Sequence, residues 1–118
     1  MAKAAYCPEA GDFVWTRFDA RLGGAQRLGR PALVVSPAAL FRASGLAIVC
    51  PIARTKRNFK SSVAAPPGLP FAGSILTTHV RSIDARAGFI AYAGAGAPAA
   101  LLAEARAKLA ALCGIVAG

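Results

Sequence analysis

Residues 12–18, DFVWTRF, alternate, with Val14, Thr16 and Phe18 facing one way and Phe13, Trp15 and Arg17 the other. A period of two in an aromatic and β-branched run predicts a strand. The pattern dissolves over 19–29, where Gly23-Gly24 breaks any element between Arg21 and Arg27, and a loop is expected. Arg30-Pro31 leads into ALVVS, a short unbroken apolar run that suits a buried strand. Pro37 ends it and fits the first turn of a short helix, AALFRAS, which Gly45 closes. LAIVCPI at 46–52 reads as a second buried strand. After a polar break come a brief strand at 62–64, a rigid PPGLP turn, a strand at 74–80 (SILTTHV), a turn or strand end at 81–86 and a last strand at 88–92. Residues 94–97 read as a flexible link.

The period changes to that of a helix over 98–112. Pro98 suits the first turn and Gly114 the C-cap, and Leu102, Ala105, Leu109 and Leu112 make one apolar stripe. Glu104 and Lys108 are spaced as an i,i+4 pair on the outer side. Five or so short strands and one terminal helix predict a mainly β fold, a small, strongly bent sheet or barrel. Alanine supplies 29 of the 118 residues, so the larger apolar side chains suffice for one compact core and one domain spanning 1–118.

Charge narrows the function. Lys and Arg number 14 against 5 Asp and Glu, a net +9. That surface fits a polyanion: nucleic acid, an acidic protein or an anionic membrane. Five scattered acids are a poor basis for a two-metal carboxylate enzyme. The three cysteines, Cys7, Cys50 and Cys113, form no CxxC or Cys/His cluster, so no metal site is expected. Their odd, scattered count fits a reducing cytoplasm. Cys50 reads as a small apolar strand residue and Cys113 as packing at a helix end. No leader is visible at the N-terminus, and the apolar stretch 87–103 is too short and too interrupted by Gly94, Gly96 and Pro98 to span a membrane.

Cations gather in three places: 27–30, 54–60 and 81–86. For any single arginine, solvated surface charge is the better reading. In ARTKRNFK, however, Arg54, Lys56, Arg57 and Lys60 surround Phe59 with no acid nearby, which favours an anionic ligand. Phe59 fits a stacking role against a base and a core-facing role equally well. There is no phosphate loop, and a single histidine, His79, makes no Ser-His-Asp set.

GDFVWTRFD, GRPALVVSPAALFR, CPIARTKRNF and HVRSIDARA together resemble the successive signatures of the MazF/PemK (Kid) toxins, from about residue 11 to 112. The resemblance implies an SH3-like (CcdB/Kid-type) β-barrel with a C-terminal helix. It also implies a cytoplasmic homodimer that needs no metal or other cofactor and cuts single-stranded RNA through the neighbouring 2′-OH. The implied partners are RNA and a small acidic antitoxin; no membrane is involved. Arg30 matches the arginine of the R-P motif, implied to stabilise the scissile phosphate, and an arginine fork suits phosphate oxygens. Ala53 stands where MazF-like members have Thr or Ser. Gly24 stands in place of the Kid-like histidine, and Leu76 and Thr78 in place of the R-x-D pair.

Arg30, Thr55 and His79 are therefore the candidate catalytic residues, Thr55 replacing the hydroxyl lost at Ala53 and His79 supplying proton transfer. A hydrogen-bonding role for His79 in place of the family's Gln fits equally. Strand alternation would put residues 78 and 79 on opposite faces. Arg27, Arg54, Lys56, Arg57, Phe59, Lys60 and Arg81 are the candidate RNA-binding residues. The alternative is a non-catalytic toxin, a protein-target poison of CcdB type, or an RNA-binding protein on the same fold.

Overall fold

The two unbroken apolar runs pair with each other at the centre of the fold. The computed structural model describes residues 6–16, 29–54, 62–65, 73–86 and 90–115. Among these are seven strands: β1 (Asp12–Thr16), β2 (Arg30–Val34), β3 (Leu46–Ala53), β4 (Ser62–Ala65), β5 (Gly73–Leu76), β6 (Arg81–Asp84) and β7 (Ile90–Gly96). Helix α1 (Ala38–Ser44) joins β2 to β3, and α2 (Ala99–Leu112) follows β7. Every ladder is antiparallel. The order is β4-β5-β3-β2-β1-β7, with β6 also paired to β3. The expected mainly β fold with a C-terminal helix is thus present. Barrel is too closed a word, because no ladder joins β4 to β7 among the described residues.

β3 organises the sheet. One edge pairs with β2, and the other is shared: Leu46 to Val49 face β6, while Ile52 and Ala53 face β5. Val35 N–H donates to Ile48 O at 2.9 Å, so the alternate pairs, Ala32 with Pro51 among them, are the non-hydrogen-bonded ones. The nitrogen of Pro51 therefore points away from β2, into the gap between β6 and β5, where the ladder does not use the N–H that proline lacks. Had the β5 register continued, Val49 would face Thr78; it faces Arg81 instead. The three extra residues, Thr77–His79, are a single turn of 3-10 helix. The strand expected over 74–80 is thus interrupted, and 81–84, expected as a turn or strand end, is a strand. Gly94 to Gly96, expected as a link, belongs to β7, with Gly96 paired to Asp12.

Both faces of the central strands are buried, as unbroken apolar runs require. On one face Phe13, Leu33, Val35, Cys50 and Ile52 meet Val63, Ile75 and the α2 residues Leu101 and Ala105. On the other, Val14, Ala32, Val34, Ala47 and Val49 meet Ile83 and Ala85, with Tyr6, Phe41 and Ile90 at the margin. Phe13 and Leu33 are fully buried, each contributing about 1.5–3 kcal/mol.

α2 begins after Pro98, as expected, and buries Leu101 and Ala105 fully and Leu102 and Leu109 partly. The expected stripe is corrected at its end: Leu112 is half exposed, because the last helical turn overhangs the sheet. Cys113 caps the helix but is exposed rather than packed, and Gly114 follows it in the left-handed region. Glu104 and Lys108 form the expected pair at 3.5 Å, and Lys108 Nζ also donates to Ser62 O at 2.8 Å, tying α2 to β4. Arg106 donates from Nε and a terminal nitrogen to Val35 O, at 3.0 and 2.8 Å, clamping α2 to the end of β2. Arg106→Ala should lower stability by about 1–2 kcal/mol, read as a shift in the urea midpoint at unchanged slope, with Arg106→Lys falling between.

Candidate functional site

The end of the sheet where β2 begins and β3 finishes carries Arg30 and Arg54. Gly29 has φ +88°, and a Cβ there would meet Thr16 O at 2.8 Å, so glycine lets the chain turn tightly into β2. Thr16, buried, donates its hydroxyl to Arg30 O at 3.1 Å. The Arg30 backbone is thereby fixed while its side chain is exposed. Arg30 shares the face of Ala32 and Val34. Arg81, opposite Val49, shares that face from the other side of β3. Pro51 and Ala53 lie on the same side of β3 by alternation and are half buried. The face is thus a cationic margin around a small apolar floor.

Arg54 follows β3 directly and is exposed. Gly73, at φ +129°, would place a Cβ 1.8 Å from Ala53 O, so glycine alone allows β5 to close on β3 beside Arg54. The 3-10 turn rests on β3 and α2. Thr77 is buried, and Val80 N–H closes the turn on Thr77 O at 3.2 Å. Thr78 and His79 are both exposed, and Thr78 Oγ1 lies 3.1 Å from His79 Nδ1. The expected opposite placement of 78 and 79 is therefore corrected: it held only for a continuous strand. Arg30, Arg54, His79 and Arg81 lie at or beside β3. Arg27, Thr55, Lys56, Arg57, Phe59 and Lys60 lie outside the described residues, as does Gly24.

Other polar groups that the sequence did not single out are structural. Arg86 donates to the end of α1, to Phe41 O at 3.5 Å and Arg42 O at 3.3 Å, with its guanidinium 5.7 Å from the Phe41 ring centre. Tyr6 donates its hydroxyl to Asp12, which also accepts the Glu9 N–H at 3.1 Å. Burial, then the Asp12 hydrogen bond, push the Tyr6 phenol up. A linear signal exists only for the second, a tyrosine six residues before Asp12; Arg86 meets α1 across 44 residues of sequence, which no local pattern records. Among the described residues no group of three His, Cys, Asp or Glu side chains could hold a metal ion, and no helix is long and apolar enough to cross a membrane.

The family model for the PemK-like, MazF-like toxin of type II toxin–antitoxin systems matches residues 9–113. The chain belongs to this family. It is 31% identical over 93 residues to the endoribonuclease toxin MazF of Escherichia coli, covering 79% of this chain and 83% of that one. A MazE–MazF crystal structure from Deinococcus radiodurans superposes with a TM-score of 0.81 at 38% identity, covering 94% of this chain and 99% of the other. A mycobacterial endoribonuclease solved with its cognate antitoxin shares the fold, at a TM-score of 0.74 and 20% identity, covering 94% of this chain and 99% of the other.

Within this MazF-like frame the Gly-Asp start and the Arg-Pro block have distinct physical jobs. Gly11 links β2 to the end of β7, donating to Val34 O at 2.8 Å and accepting from Ala97 N at 2.6 Å. Arg30 opens β2 with its side chain exposed. Cys50, on the buried side of the floor, has its thiol pushed up to about 12 by burial, so it stays protonated and unreactive at neutral pH. In the native protein iodoacetamide should modify exposed Cys113 and leave Cys50 untouched until denaturant is added; mass spectrometry of native and unfolded samples checks this.

Proposed function

We propose that this chain is the toxin of a MazE–MazF-type pair, an endoribonuclease that cuts single-stranded RNA through attack of the 2′-OH on the adjacent phosphate. The observation that carries the reading is Arg30: exposed, anchored through its backbone by Thr16, and set on a cationic face within the family block. Its guanidinium binds the scissile phosphate and stabilises the charge that grows on it during attack. Thr55 replaces the hydroxyl lost at Ala53, and His79 moves the proton. Arg27, Arg54, Lys56, Arg57, Lys60 and Arg81 hold the RNA backbone without reading bases, and Phe59 stacks on one base. The chain acts in the cytoplasm, where its RNA is.

A second reading, a non-catalytic RNA-binding toxin, rests on Ala53, Leu76 and Thr78 standing where relatives carry polar groups. Incubation of the purified chain with a long single-stranded RNA and EDTA separates the two: discrete fragments are expected, and intact RNA over a dose series would sink the nuclease. Arg30→Ala should lower kcat about 10²–10³-fold with the melting temperature kept. Lys56→Ala with Arg57→Ala should instead weaken RNA binding and reduce its salt slope by about one for each phosphate no longer neutralised.

The working unit is a homodimer inhibited by an acidic antitoxin. Trp15, Leu46, Val80 and Tyr92 are large and exposed on one chain, and association would cover such surface. The +9 charge draws an acidic chain to the face that takes RNA. Light scattering should give a dimer at micromolar concentration, and the cognate antitoxin should displace labelled RNA; a monomer, or a ternary complex, would contradict the respective half.

A further inference from the structure

The 3-10 turn is an unusual place for the chain's one histidine. It exists because β3 holds β5 and β6 in registers three residues apart, and those three residues leave the ladder beside Cys50 and Pro51. Thr77 is buried at its foot, and the Val80 N–H to Thr77 O bond closes it. The base is fixed, and the two residues at its tip are exposed. Pro51 pairs across the ladder with Ala32, two residues from Arg30. The turn and Arg30 therefore lie at opposite edges of β3.

We infer that Thr78 and His79 form a proton-transfer dyad for RNA cleavage, with Thr78 as the positioning residue; the inference rests on the endoribonuclease reading above. The 3.1 Å contact between Thr78 Oγ1 and His79 Nδ1 leaves Nε2 as the outward nitrogen. A hydroxyl can meet Nδ1 in two ways. If it donates, the ring carries its proton on Nε2 and cannot act there as a base. If it accepts from Nδ1–H, Nε2 presents a lone pair when the ring is neutral and a proton when it is cationic. Only the second arrangement persists through both steps of the reaction.

The cycle then balances with one imidazole. Nε2 takes the proton of the RNA 2′-OH as the 2′-oxygen bonds to phosphorus. The bond from phosphorus to the 5′-oxygen breaks, and that oxygen takes the proton from Nε2. The products are a 2′,3′-cyclic phosphate and a 5′-hydroxyl, with neutral His79 restored. Throughout, Thr78 accepts from Nδ1–H and holds the ring in one tautomer.

The test uses the full chain, a long synthetic single-stranded RNA and EDTA. His79→Gln should lower kcat by about 10²–10⁴-fold. Thr78→Val should lower kcat with KM unchanged, and Thr78→Ser should restore it. In ¹⁵N-labelled wild-type protein the single imidazole should be protonated on Nδ1 in its neutral form, and Thr78→Val should move it toward the Nε2–H tautomer. Both side chains are exposed, so melting curves should match wild type. Wild-type kcat in folded His79→Gln, or an Nε2–H tautomer in the wild type, would overturn the dyad while leaving the nuclease reading intact. Wild-type protein that leaves RNA uncut would overturn the nuclease reading, and the dyad with it.

Discussion

The sheet depends on β3 serving three neighbours. Its eight residues pair with β2 along one edge and divide the other between β6 and β5. An antiparallel ladder admits one partner per position, so the changeover must fall somewhere, and it falls at Pro51. Proline has no N–H to offer an edge partner, and its nitrogen points into that gap. The chain between β5 and β6 accordingly leaves the sheet for one turn. The same proline forms the half-buried floor between Arg30 and Arg81. One residue, by lacking an N–H, thus marks where β3 changes partner.

The rest of the molecule holds that strand still. Two buried faces clasp the central strands, and α2 is fastened by polar contacts as well as by Leu101 and Ala105. Arg106 grips the carbonyl at the end of β2, and Lys108 reaches the carbonyl that begins β4. Arg86 does the equivalent for α1. Of the cations behind the +9 net charge, Arg86, Arg106 and Lys108 sit on backbone carbonyls, where their charge is partly satisfied, while Arg30 and Arg54 are exposed at the sheet end. Composition counts all of these alike; geometry sorts them.

The order of the elements and the buried strands were legible in the linear chain, because an unbroken apolar run has few alternatives to a sheet interior. So was α2, through its period, its opening proline and its closing glycine. The family was legible in linear blocks, since a motif's residues lie together along the chain. Register and overhang were not, and the folded arrangement alone settles them. The interruption of 74–80 depends on how β5 and β6 align against β3, information held in pairs of residues far apart rather than in any local window. Thr78 and His79, opposite faces of a strand by local pattern, become neighbours on one turn for that reason. Leu112 and Cys113 carry helical spacing but emerge into solvent, because the length of the sheet beneath them, not their own period, sets where burial stops. The open sheet in place of a closed barrel has the same origin: closure depends on whether β4 and β7 meet, and no local pattern records that.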